Sequence, residues 1–108
     1  MKPVVFRGSA LSDLRAFPSE ARREAGYQID RVQRGLDPDD WKPIATVGKG
    51  VRELRIRAGG AFRVVYLAGL REAVLVLHCF QKTTQKTSRV DIDLAAKRYR
   101  DLLKDSDR

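Results

Sequence analysis

Hydrophobic and polar positions change their period along the chain, and each change marks a new element. Residues 2–7 (KPVVFR) form a short β-rich run, read as a first strand. Residues 9–17 read as a short helix that Pro18 stops. Beyond the proline, Ala21, Ala25, Ile29, Val32 and Leu36 recur at helical spacing, while Arg22, Arg23, Glu24, Asp30 and Arg31 look outward. Ser19 is the expected cap of this longer helix, and Gly35 its end. Two prolines and three aspartates make residues 36–43 (LDPDDWKP) a loop, with Trp41 closing over the edge of the core.

From Ile44 the period becomes strand-like, punctuated by glycines at 48–50, 59–60 and 69. Three strands are expected, at 51–57, 61–68 and 73–80. Turns this short join antiparallel neighbours, because a parallel return needs a crossover of a dozen or more residues. The last strand, AVLVLHCF, is apolar on both faces, as a central strand covered on both sides would be. The polar run 81–87 (QKTTQKT) is a loop, after which Thr87 or Ser88 caps a final helix over 88–103 with Val90, Leu94, Ala95 and Leu102 as its stripe. Residues 104–108 are expected to fray. The pattern is α+β: an N-terminal strand and two helices, then a twisted antiparallel sheet, then a C-terminal helix.

A chain of 108 residues is expected to form one domain, spanning 1–108, with a core that needs no staple. The lone Cys79 allows no internal disulfide, which fits a reducing cytoplasm. The single His78 is its neighbour, and a strand points the two to opposite faces, so no zinc-type ligand set and no metal is expected. The amino end has no apolar stretch of signal-peptide length, and the longest apolar run, 73–77, is far short of the ~20 residues a membrane helix needs. A soluble, unprocessed protein away from membranes is the expectation.

Charge sharpens the picture. The formal net charge is +8, and residues 49–89 carry nearly all of it, with Lys49, Arg52, Arg55, Arg57, Arg63, Arg71, Lys82, Lys86 and Arg89 against only Glu53 and Glu72. A single-sign block points to a polyanion more than to a solvated face, where signs usually mix. On the strand 51–57, Glu53, Arg55 and Arg57 share one face, while Arg52 shares parity with Leu54 and Ile56. The bland alternative is a solvated face with Glu53 paired to an arginine. Arg63 lies between Phe62 and Val64 with the parity of Val65 and Leu67, which brings its guanidinium to a concave face. A half-buried arginine either pairs with a carboxylate or takes a phosphate, and the scarcity of nearby acids in sequence favours phosphate. Removing Arg63 is then expected to spare stability.

The loop 81–87 has two lysines, three hydroxyls and two amides, no carboxylate, and a helix amino terminus after it, all suited to an anion. It has no glycine, which excludes a Walker-type nucleotide loop. His78 is either a general base or a satisfied core histidine, the latter favoured. Tyr66 and Tyr99 read as core or rim aromatics, although Tyr99 beside Arg98 and Arg100 could stack a base. No Ser-His-Asp order, paired carboxylates or cofactor motif stands out. Basic side chains and hydroxyls alone suit phosphodiester transfer on RNA, in which the 2′-OH is the nucleophile and the protein positions the strand and stabilises charge.

Residues 51–100 resemble the RelE/ParE toxin superfamily, in its HigB-like, phage-derived branch. The resemblance is carried by Arg52-Glu53-Leu54-Arg55, by Phe62-Arg63-Val64-Val65-Tyr66, by Leu77-His78-Cys79-Phe80-Gln81-Lys82 with Thr83-Thr84-Gln85-Lys86-Thr87, and by the helix from Ile92 to Arg98. It implies a toxin of a type II toxin-antitoxin system: a cytoplasmic, ribosome-dependent mRNA endonuclease (mRNA interferase) that needs no metal or cofactor and is silenced by a cognate helix-turn-helix antitoxin. It also implies that Arg57, Arg63, Lys82 and Lys86 bind and activate the scissile phosphate; His78 is counted with them as a catalytic candidate on its own chemistry, and Arg52, Arg55, Arg89 and Tyr99 are the RNA-binding candidates. Two departures are that the family's double lysine reads Lys82-Thr83 here, and that its late tyrosine has no clear match, Tyr99 lying on the last helix. The ParE branch, which inhibits DNA gyrase without nuclease chemistry, shares the fold, and a phage nucleic-acid-binding accessory protein is a third reading. The expected architecture has helices on one face of the sheet and an open, basic, concave face opposite.

Overall fold

In the computed structural model, which describes residues 1–106, the chain runs β1 (Val4–Phe6), α1 (Ala10–Arg15), α2 (Ser19–Gln33), β2 (Trp41–Pro43), β3 (Val51–Arg57), β4 (Ala61–Leu67), β5 (Val74–Gln81) and α3 (Arg89–Ser106). The five strands form one sheet in the order β1-β5-β4-β3-β2. The fold is α+β and compatible with a RelE-like architecture. β2 to β5 are antiparallel as expected, but β1 joins β5 in parallel, Val4 beside Val74 and Phe6 beside Val76, so the sheet is mixed. The long connection between them, through α1, α2 and β2 to β4, is far more than the crossover length a parallel return needs.

Helix α2 ends on a left-handed Gly35 with φ 84°, where the Leu36 N–H donates to the Arg31 carbonyl and the Gly35 N–H to that of Val32. Two of the orphan carbonyls of the last turn are thereby satisfied. Its start differs from expectation. Pro18 takes the cap position, Ser19 is the first helical residue, and no side chain caps the helix. Residues 41–43, expected in a loop, form edge strand β2, which tolerates Pro43 because an edge leaves one side of the ladder free. Its Trp41 ring stacks on the Arg52 guanidinium at 3.9 Å, beside Asp37.

Helices cover both sheet faces, where one covered face was expected. Against α1 and α2, Leu54, Ile56, Phe62, Val64, Tyr66, Val76 and Cys79 pack on Leu14, Phe17, Ala21, Ala25 and Ile29. On the other face Val51, Val65, Leu67, Leu75 and Leu77 pack under Ala95 of α3, with Ile92, Tyr99 and Leu102 at the margin. Helix α3 runs unbroken through Lys104 to Ser106, which replaces the expected fraying there; Asp107 and Arg108 lie outside the described residues. No described helix is long and apolar enough to cross a membrane.

One irregularity interrupts the ladder between β4 and β5. Val65 pairs with His78 and Tyr66 with Val76, so Leu77 is an extra residue in β5. A bulge of this kind puts two successive side chains on one side and leaves a backbone group without a ladder partner. Leu77 and His78 accordingly both face α3, and Arg98 of α3 donates from Nη1 to the Leu77 carbonyl at 2.8 Å and from Nη2 to Ser9 Oγ at 2.9 Å.

Candidate functional site

Helix α3 covers only part of its sheet face. Beyond its first turn the same three strands present Glu53 and Arg55 from β3, Arg63 from β4, and His78 and Phe80 from β5, with Arg55 beside Arg63 and Arg63 beside Phe80 in register. Lys42 of β2 stands opposite Glu53, and Lys82 follows β5, its N–H held by the Ala61 carbonyl at 2.7 Å.

Glu53 is 0% exposed and sits at the centre. Its Oε2 accepts from Thr87 Oγ1 at 2.8 Å, while Arg63 Nε lies 3.3 Å and Lys42 Nζ 3.9 Å from its Oε1. Neither Glu53 Oε1 nor Arg63 Nε makes an aligned hydrogen bond, and Arg55 Nε is likewise unpartnered. The expectation that Arg63 waits for a phosphate with no acid at hand therefore needs correction. Arg63 is 5% exposed and paired with Glu53 across two strands, a pairing that scarcity of acids along the sequence concealed. A lone charge buried by removing Arg63 is costly, so the expected neutrality of that change falls as well.

Cations still outnumber carboxylates here. Burial, and then the repulsion of Arg55 and Arg57 against the pull of Glu53 and Asp40, leaves the Arg63 guanidinium below its ordinary pKa. Partial burial and the nearby Arg63, Lys42 and Arg55 charges likewise lower Lys82. Arg55 reaches only Asp40, at 3.8 Å, and that carboxylate is half exposed. Lys42, Arg55, Arg57 and Lys82 thus surround one buried and one surface carboxylate, an arrangement that gains by taking up an anion.

The structure disperses the other sequence candidates. Arg57 ends β3 and is exposed beside the cluster. Lys86 is exposed in the following loop, where its carbonyl accepts from Thr84. His78 Nε2 meets Asp91 Oδ1 at 2.7 Å, its ring stacks on Phe80, and its buried Nδ1 has no partner. Asp91 also accepts from Ser88 Oγ, whose oxygen in turn accepts the Asp91 N–H, so the cap of α3 and the histidine share one carboxylate. Arg52 faces away from the cluster, held by Trp41 and Asp37. Arg89 opens α3 and pairs along the helix with Asp93. Tyr99 packs on Gly48, far along α3 from the cluster, and its hydroxyl donates to the Lys49 carbonyl at 3.4 Å. Lys42 was missed because nothing in residues 36–43 signals a register, and Asp91 because its role depends on the bulge. Among the described residues no group of three or more His, Cys, Asp or Glu side chains is placed to hold a metal ion.

The family model for phage-derived Gp49-like proteins (DUF891) matches residues 12–100. No curated protein matches the chain.

Proposed function

The chain belongs to the phage-derived Gp49-like family, and from that premise we propose that it is a toxin of a type II toxin-antitoxin pair that cuts ribosome-bound mRNA in the cytoplasm without a metal. The observation that carries this reading is the half of the α3-facing sheet beyond the helix, where Lys42, Arg63 and Lys82 lie about the buried Glu53 carboxylate and Arg55 and Arg57 stand beside Arg63. A phosphodiester placed there has its charge met from several sides, and the charge increases as the reaction proceeds.

In the proposed step the ribose 2′-oxygen bonds to the adjacent phosphorus as the bond to the 5′-oxygen breaks, leaving a 2′,3′-cyclic phosphate and a 5′-hydroxyl. The 2′-OH proton passes to Lys82, whose neutral form is favoured by burial and then by the neighbouring cations, and the departing 5′-oxygen takes a proton from water. Arg55 and Arg57 stabilise the equatorial oxygens. Arg63 lies beneath them and acts as a positioning residue through Glu53. A helix-turn-helix antitoxin is the expected partner.

Primer extension on translated transcripts in cells expressing the protein alone tests the reading, with discrete cuts expected. Intact transcripts with gyrase-dependent DNA damage would assign the protein to gyrase inhibition instead. Affinity for RNA should also fall with salt, the log-log slope gaining roughly 0.7 for each phosphate neutralised.

A further inference from the structure

β2 pairs with β3 from Arg52 to Leu54 and the Asp40 carbonyl takes the Arg55 N–H at 2.9 Å, so the outer edge of β3 is bare of a neighbouring strand beyond Arg55. A cleft of about 440 Å³ lies along that bare edge, between it and α2, lined by Arg23, Tyr27 and Asp39 on one side and Arg55 and Arg57 on the other. Arg55 belongs to both places, since it also stands beside Arg63 in the basic half of the sheet. The cleft and the basic half of the sheet therefore meet at Arg55.

Two features separate this cleft from that site. The first is Tyr27, which is 56% exposed and is the one aromatic among the exposed large hydrophobic residues described. An exposed phenol ring on a rigid helix offers a stacking face at no cost to the core. The second is charge. Glu20, Glu24 and Asp39 line the cleft with Arg23, Arg55 and Arg57, so its signs balance where the sheet's do not. Buried Gln28 fixes two of those acids, its Nε2 donating to Glu24 at 2.8 Å and to Asp39 at 2.7 Å. Balanced charge around an aromatic suits an uncharged, flat, polar-edged group rather than a phosphate.

We propose that this cleft is a nucleobase subsite, in which Tyr27 stacks a base of the RNA strand whose phosphates pass over Arg55 and Arg57. The assignment rests on the RNA reading above and extends it to where the strand leaves the sheet.

The test is fluorescence anisotropy of a labelled hexaadenylate RNA titrated with the full chain at low salt. Tyr27→Ala should weaken binding between about 5-fold and 150-fold, the range of one lost base stack. Tyr27→Phe, which keeps the ring, should bind like the wild type, and both should melt like it because the side chain lies outside the core. Arg55→Ala should also weaken binding. If Arg55→Ala loses affinity while Tyr27→Ala keeps it, the subsite is overturned and the phosphate site stands. If Tyr27→Ala keeps its RNA affinity but no longer binds its antitoxin, the cleft is a protein-docking surface and the proposal fails. A wild-type chain that does not bind the oligomer overturns the subsite, and intact transcripts in the cellular assay would overturn the RNA reading with it.

Discussion

The sheet face under α3 is made of two halves that share their strands. In one, Val51, Val65, Leu67, Leu75 and Leu77 lie beneath Ala95; in the other, one same-face step away, stand Glu53, Arg63 and His78. The backbone is the same in both, so the difference lies in what each half requires of its surroundings. The apolar half gains from a cover, at roughly 25 cal/mol for each Å² withdrawn from water. The charged half would lose by one, since a helix laid over the partly exposed Lys42, Arg55 and Lys82, which stand above the buried Glu53–Arg63 pair, would remove their water without replacing it. Helix α3 begins at this boundary, with Asp91 of its first turn on His78 and Ile92 already against the apolar half. The site is thus kept open by the chemistry of its own residues.

The contrast between the halves breaks most sharply at Arg63. Arg63→Ala leaves Glu53 buried without its main counter-charge and should cost about 3–5 kcal/mol in urea unfolding. Replacing both residues, as Glu53→Leu with Arg63→Met, should recover most of that loss, and a double variant as unstable as the single one would show that the pair is not the cause. In the covered half, Leu77→Ala removes a side chain that is 0% exposed and should cost about 2–5 kcal/mol, with RNA cleavage retained by whatever fraction stays folded. Lys82→Ala should show the opposite pattern, a cleavage rate lower by roughly a hundredfold to a thousandfold with a thermal melt moved by little. With Lys82 as the base, the wild-type rate should rise with pH as its lowered-pKa ammonium loses its proton, and Lys82→Ala should abolish that rise in a pH-rate profile. The smallest effect belongs to Arg89→Ala, which breaks an exposed pair along α3 and should change stability by no more than about 0.5 kcal/mol.

Much of the covered half could be read from the sequence. The alternation in 51–57 and 61–67, the two-sided apolar run of β5, the helical spacing of α2 and the Ser88 cap each follow from local rules that the tertiary structure does not override. The charged half was legible as a composition but not as a geometry. Glu53 paired to an arginine is one reading of the sequence, but on a solvated face, and only the register between β3 and β4 reveals that the partner is Arg63 and that the pair is buried. β2 escaped because three residues containing a proline carry no period. The second covered face escaped because the stripe of α3 does not say which side of a sheet it meets. His78 depends on Leu77, and no residue type announces a bulge.

The parallel pairing of β1 has a consequence for synthesis. Val4 must wait for Val74, its neighbour in the sheet, to leave the ribosome. At about 5–20 residues per second that is a delay of roughly 4 to 14 seconds. During that time β1 has no partner and the order β1-β5-β4-β3-β2 cannot close. Lys82 follows β5 directly, so the basic half of the sheet is assembled in the same final stretch of translation, and the nascent chain lacks that cluster of charge for most of its own manufacture.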